Sequence, residues 1–341
     1  MIRERFIRNL GAAAVGAVAM PEFVAWGTSQ ARDRERIVIV GAGIAGIVTA
    51  MHLRDAGIES VIYESSARLG GRMHSERSYW NEGQHTEWCG AMVDSTHVNI
   101  HRLARRFGVG LLDTHAARPP HARDTCYLDG RYYSMSQADR DFAKIWPILQ
   151  SQLGGVASTT TYANATPTAR KLDAMSMRDW IVQYVPGGLD SQLGRLIAES
   201  YRNEYGRDIT ELSALNLVLQ LGQQTTYAEN EQLNVLGYSD QRYILATGSQ
   251  SLPEAIAASL PPGSVRFEHR LLALRRMASG AYELRFDRRG SRETVYADRV
   301  VLAIPFIGLR SLDYSSAGFD SAKINAIENL GYGYHTKLHL Q

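Results

Sequence analysis

Apolar residues recur along the chain with three different rhythms. The first is an unbroken run, Ile37 to Val40, of the kind found in a strand covered on both faces of a parallel sheet. Glycines follow, and then a helical spacing predicts a helix from Ile44 to about Ala56, closed by Gly57 as C-cap. A second short strand, "SVIYE", ends in Glu64. From about Pro119 to Asn234 the rhythm is helical and irregular, with helices expected in "SMRDWIVQYV" and "LDSQLGRLIAESYRNEYG". In "DITELSALNLVLQLG" the apolar stripe is expected through Leu212, Leu215 and Leu219, with Thr210 or Asp208 as cap. "SQLGGVASTTTYANATPT" reads as polar loop. The period then shortens. A strand-and-helix unit, "GYSDQRYILATGSQSLPEAIAASL", leads into a meander of "SVRFEHRLLALRR", "AYELRFDRRG" and "ETVYADRVVLAIPF". "RRGSR" is its hairpin tip, and Pro305 ends its last buried strand. Polar and apolar residues alternate from Thr336 to Gln341, which predicts a half-buried strand carrying Lys337.

Length and composition narrow the field. The 341 residues can hold two domains of ordinary size, and 45% hydrophobic against 21% charged residues is globular material. A formal net charge of +2 disfavours a nucleic-acid binder that works through a basic face. Cys89 and Cys126 cannot make a disulfide framework or a zinc site by themselves and read as ordinary thiols. His115, His121 and Glu204 show no ligand spacing on a common face, so no metal is expected. At the N-terminus Arg3, Arg5 and Arg8 precede "LGAAAVGAVAM", Pro21 and a small-residue stretch ending near Ala31. That order is the order of an export signal, and the run is too short to span a bilayer as a helix. "RERFIRN" resembles a twin-arginine signal in which Glu4 replaces the second arginine, implying a periplasmic or secreted protein, otherwise a cytoplasmic one.

The chemistry begins between the first two strands. Gly41, Gly43 and Gly46 spell G-x-G-x-x-G at the opening of the first helix, with Ala45 in its first turn. Such glycines allow a tight turn, approach of a pyrophosphate, and close packing of helix on strand. The helix N-terminus offers its amides and dipole to the phosphates. Glu64, eighteen residues beyond Gly46, stands where a carboxylate accepts the ribose hydroxyls. Directly after it, "ESSARLGGRMHS" supplies Arg68, Gly70, Gly71 and Arg72: two glycines that let the chain pass a flat ring or a phosphate, and two guanidinium forks.

This E-x-x-x-R-x-G-G-R run resembles the flavin-containing amine oxidase family, the group of monoamine, polyamine and L-amino-acid oxidases, and the likeness continues along nearly all of the mature chain. It implies an α/β protein with a Rossmann-like FAD-binding domain and β-meander, into which a mainly helical α+β substrate domain is inserted. The expected division is a signal over 1–31, the FAD domain over 32–115 and 236–310, the helical substrate domain over 116–235, and the start of a substrate-domain sheet, left incomplete, over 311–341. The resemblance implies FAD as cofactor, with Glu64 on the adenosine ribose and the Ser65 backbone nearby. It places Arg72 beside the phosphates or the ring, and the backbone of Gly90, Ala91, Met92 and Val93 against the isoalloxazine. Leu271 takes a backbone contact to adenine. Thr247-Gly248 stands where many relatives read two glycines. "GYGYHTK" matches the stretch whose lysine, here Lys337, points at the flavin N5 and holds a water.

The implied reaction is oxidation of a small-molecule amine to an imine, with O2 reduced to hydrogen peroxide. An L-amino-acid oxidase is the runner-up: many of those carry an arginine for the substrate carboxylate where Val93 stands, although Arg202 offers a substitute. Relatives run on beyond this point, which implies a third reading, a truncated chain acting as a non-catalytic or split flavoprotein subunit that needs a second polypeptide to complete the fold.

Overall fold

The computed structural model describes residues 35–341 apart from 121, 123 and 225–231; the expected export segment and His121 lie outside the described residues. The central sheet is built from β1 (Ile37–Val40), β2 (Ser60–Tyr63), β10 (Val265–Arg266) and β14 (Arg299–Leu302), in the order β10-β2-β1-β14 with every pairing parallel. Alternation sends the side chains of β1 to opposite faces. Ile37 and Ile39, with Ile62, pack under Ile47, Ala50 and Met51 of helix α1 (Ile44–Asp55) and under Leu252 and Ile256 of helix α9 (Ser251–Ala258). Val38 and Val40, with Val61 and Tyr63, pack under the meander of β11 (Arg270–Arg276), β12 (Tyr282–Arg288) and β13 (Ser291–Ala297). Phe286 stacks on Tyr63 there at 4.5 Å between centroids. Both faces of β1 are thus covered, which is why its sequence shows no alternation of polar and apolar residues.

The helical rhythm produces α3 (Met135–Ala143), α4 (Trp146–Gly154), α5 (Pro167–Asp173), α6 (Met177–Tyr184), α7 (Gln192–Tyr205) and α8 (Ala214–Gly222). They enclose a separate core around Phe142, Trp180 and Tyr201. Ser134, Thr166, Ser176, Ser191 and Ser213 each accept a main-chain N–H at a helix start, satisfying donors that the helix itself cannot. The chain leaves for these helices and returns from them through one small antiparallel sheet. In it β9 (Tyr243–Leu245) lies between β5 (Met92–Val93) and β6 (Leu111–Asp113). Among the described residues no helix is long and apolar enough to cross a membrane.

Four local expectations are corrected. Helix α1 is capped by Ala56, and Gly57 follows the cap at φ +75°. Helix α8 starts late: Ser213 caps it, because Asp208 already accepts the N–H and hydroxyl of Thr210 in a turn of its own. Its buried face accordingly runs through Ala214, Leu217, Val218 and Leu221, with Leu212, Leu215 and Leu219 only partly covered. Ser151–Gly154, expected as loop, closes α4. The alternating segment Thr336–Gln341 forms no strand and is largely exposed. A strand needs a neighbour for its N–H and C=O groups, and this segment is anchored by side chains instead. Lys337 reaches the main chain at 87–89, Gln341 accepts from Asn81 N at 3.3 Å, and the His339 ring lies 5.8 Å from Trp88 and 6.1 Å from Trp80.

Candidate cofactor and active site

The site starts where β1 runs out. Gly41 donates to Tyr63 O at 2.8 Å and sits at φ +103°, and a Cβ on it would lie 2.6 Å from Ala303 O, so only glycine makes this turn. A Cβ on Gly46 would strike Gly41 O, so the start of α1 presses directly on that turn. Gly43 is the residue before α1, and no side chain caps the helix. Its first turn holds no acid, with Ala45 exposed in it, so the amides and the positive dipole end are left for an anion.

Glu64 follows β2 directly and is buried. Its Oε1 accepts from Ser66 N and Ser66 Oγ, both at 2.8 Å, and from Ser65 Oγ at 3.2 Å. Among the described residues its Oε2 accepts only Ala42 N, at 2.7 Å, which leaves a lone pair for a further hydroxyl. None of these donors is a cation. A carboxylate held by neutral donors beside an uncapped helix start suits a ribose next to a diphosphate, so the residues present fit a dinucleotide. At the same end His269 N donates to Glu64 O at 2.8 Å and Glu268 N to Ser66 O at 3.1 Å, tying the carboxylate's strand to the approach to β11. Leu271 is buried there, opposite Phe286, beside a bulge in the meander.

The second glycine pair meets the first. Gly70 bridges Gly43 and donates to Ala42 O at 2.9 Å; a Cβ on Gly71 would lie 3.2 Å from Gly43 Cα. The Arg68 guanidinium clasps its own loop, donating to Leu69 O at 3.2 Å and Gly71 O at 2.9 Å. It fixes the loop's shape, because carbonyls two residues apart lie within one fork. Arg72 is exposed. Burial, and then the nearby Arg68 charge, hold the His74 imidazole below its ordinary range.

From Arg72 the line continues. Its carbonyl accepts Gly90 N at 3.4 Å, bringing the Gly90–Val93 segment alongside. Gly90 and Met92 are exposed, Ala91 is half-buried, and Val93 is buried. Lys337 Nζ donates to Glu87 O at 3.0 Å and to Cys89 O, immediately before Gly90. Segments far apart in sequence therefore follow one another in space, in the order Leu271, Glu64, Gly41–Gly46, Gly70–Arg72, Gly90–Val93, Lys337.

Three residues that the sequence did not single out hold this line together. The Asp94 carboxylate, buried, accepts Ser239 Oγ at 2.9 Å and Gln241 N at 2.8 Å, and so fixes β5 to the returning chain. Glu87 accepts Ser75 Oγ at 2.9 Å and Ser249 N at 2.7 Å. Ser249, buried, gives that carboxylate its hydroxyl as well. The partners lie 145 and 162 residues apart, too far for any local pattern to reveal them.

The chain resembles known proteins in both sequence and fold. The family model described as flavin containing amine oxidoreductase matches residues 44–341. A putrescine oxidase of Kocuria rosea is 23% identical over 293 residues, 82% of this chain and 58% of that protein. An L-amino-acid oxidase of Mus musculus is 35% identical over 92 residues, 26% of this chain and 14% of its own length. The solved cyclohexylamine oxidase from Brevibacterium oxydans superposes with a TM-score of 0.69 at 17% identity, covering 86% of this chain and 63% of that one. The chain thus spans less than two thirds of the length of each of these relatives.

Proposed function

Because the chain belongs to the flavin-containing amine oxidoreductase family, we propose that it takes part in the oxidation of a small amine, with FAD as cofactor and O2 as electron acceptor. FAD held along the line from Leu271 to Lys337 would supply the acceptor for a hydride from the carbon beside the amine nitrogen, the nitrogen losing a proton, and O2 would take up the hydride's two electrons with two protons as hydrogen peroxide. Everything else asked of the protein is binding and placement. Glu64 holds the ribose through the free lone pair on Oε2. The amides at the start of α1 and the exposed guanidinium of Arg72 meet the diphosphate. Gly90 and Ala91 carry no bulk beyond a methyl and let the main chain lie against the ring. Two of the three Lys337 N–H groups are taken by carbonyls, and the third orients a water. The imine product is hydrolysed to an aldehyde or ketone by water.

The observation that carries this reading is the spatial order of the ribose carboxylate, the two glycine loops, the Gly90–Val93 segment and the lysine. The choice of amine over amino acid is supported by two side chains. Val93 is apolar and buried, and Arg202 is already engaged by Glu199 and by Asp208 at 3.3 Å. A substrate carboxylate brought there would be desolvated without a counter-charge, which is costly. The test is an absorption spectrum of the purified chain with FAD, then anaerobic bleaching and peroxide release with putrescine, a monoamine and an L-amino acid. Bleaching by an amine is expected. Turnover of the amino acid alone would move the reading to an L-amino-acid oxidase. Bound flavin that no substrate bleaches would mark a cofactor-binding subunit.

A further inference from the structure

We propose that Glu87 is the positioning residue for Lys337; this rests on the reading of Lys337 as the lysine beside the flavin. Lys337 extends from a segment with no strand neighbour, so its own backbone does little to fix its ammonium group. What fixes it is the pair of carbonyls of Glu87, which ends a short strand, and Cys89, in the bend that follows, both of which accept from Lys337 Nζ. Those carbonyls are only as well placed as residues 86–90. The main chain holds that stretch weakly: β3 (Ser75–Glu76) and β4 (Thr86–Glu87) pair over two residues, with Trp88 N donating to His74 O at 2.9 Å.

The Glu87 side chain supplies the rest. Its Oε1 accepts Ser249 N at 2.7 Å and Ser75 Oγ at 2.9 Å, and its Oε2 accepts Ser75 Oγ at 3.0 Å and the Ser249 hydroxyl. Ser75 in turn accepts Gln250 N at 3.1 Å, so the carboxylate is bolted to the turn that opens α9. Gly248, at φ +90°, closes over it: a Cβ there would strike Ser75 Oγ and lie 3.1 Å from Glu87 Oε1. Every donor to this carboxylate is neutral, and no cation is bonded to it among the described residues. Helix α9 packs under β1, so Glu87 references the lysine to the same sheet that carries the glycine turn and Glu64.

The chain's lysines are Lys144, Lys171, Lys323 and Lys337, so lysine labelled at Cε gives a short, assignable set of NMR signals, with K337M identifying the one of interest. In the wild-type chain the Lys337 signal is expected apart from those of the exposed Lys144 and Lys171. In Glu87→Ala it moves to their position, and in Glu87→Gln, where the Ser249 hydroxyl can turn round to accept from the amide, it moves part of the way. In flavin-loaded protein Glu87→Ala slows reoxidation by roughly tenfold, the scale of one hydrogen bond to a charged group, and the double variant E87A/K337M is no slower than K337M. A Lys337 signal unmoved in Glu87→Ala, or losses that multiply in the double variant, would overturn the proposal. If K337M itself leaves reoxidation unchanged, the role given to Lys337 falls, while the NMR comparison still decides whether Glu87 places it.

Discussion

Glu64 shows how one carboxylate can be both a structural clasp and a ligand. Its two oxygens face main-chain N–H groups on opposite sides, Ala42 N and Ser66 N. In Glu64→Gln the amide NH2 must therefore confront an N–H whichever way it turns, leaving a buried donor unpaired. That costs about 1–3 kcal/mol, and it should appear as a lower urea midpoint without FAD and a further loss of affinity in a FAD titration. Unchanged stability with lost affinity would mean that the clasp is not formed and that Glu64 serves the ligand alone. The glycines and this acid were readable in the sequence because each answers to a local demand: a turn at φ +103° for Gly41, a fixed spacing along a strand–helix–strand unit for Glu64. The loop contacts of Arg68 were not readable in the same way. Its fork closes on Leu69 O and Gly71 O, a choice made by the loop's three-dimensional path.

At the level of elements, what the sequence disclosed depended on whether an element's reason for existing lay inside it. The tip between β12 and β13 is such a case: Arg289 and Gly290 take φ of +51° and +88°, the paired positive angles that "RRGSR" needs for a two-residue turn. The start of α8 and the fate of Thr336–Gln341 are the opposite. The first turned on whether Asp208 was free to cap, and the second on a neighbour the alternation could not supply. The sheet through which the chain enters and leaves its helices is also held by distant partners. Arg242 on the approach to β9 donates to Asp113 Oδ2 at 2.6 and 2.9 Å, ending β6. These bonds, with the Ala116 and His115 main-chain N–H groups, hold the Asp113 carboxyl down to about 2. Because the folded value lies below the unfolded one, the contribution to stability is fully present above the ordinary carboxylate range and is lost progressively as pH falls towards and through about 2. Carboxyl-carbon NMR titration should find Asp113 still ionised at pH 3.5 and, in Arg242→Ala, titrating higher but still below the ordinary aspartate value of about 3.9, because the His115 and Ala116 N–H bonds remain. An unaltered Asp113 titration in that variant would refute the clasp.

Across the whole described unit, the line from Leu271 to Lys337 touches elements whose cores are distinct. One end rests on the meander core around Phe286, the middle on the α1–α9 core, while the helices around Trp180 keep a core of their own. A cofactor laid along that line bridges the first two cores and the exposed residues 87–93, and meets nothing in the interior of the third. Ligand binding stabilises the native state by about 2.7 kcal/mol at a hundredfold excess over Kd, but exchange slows only where opening breaks contacts to the ligand. Amide exchange with and without FAD should therefore slow in residues 41–46, 64–72 and 87–93 and at Leu271, while the buried faces of α6, α7 and α8 exchange as before. The order of segments carries a sharper consequence, since the ribose end is built on Glu64 and the ring end on Gly90 and Lys337. Adenosine diphosphate, which lacks the ring, should protect 41–46 and 64–72 and leave 87–93 unprotected, whereas FAD protects all three. Equal protection of 87–93 by both ligands would reverse or abolish the direction in which the cofactor lies.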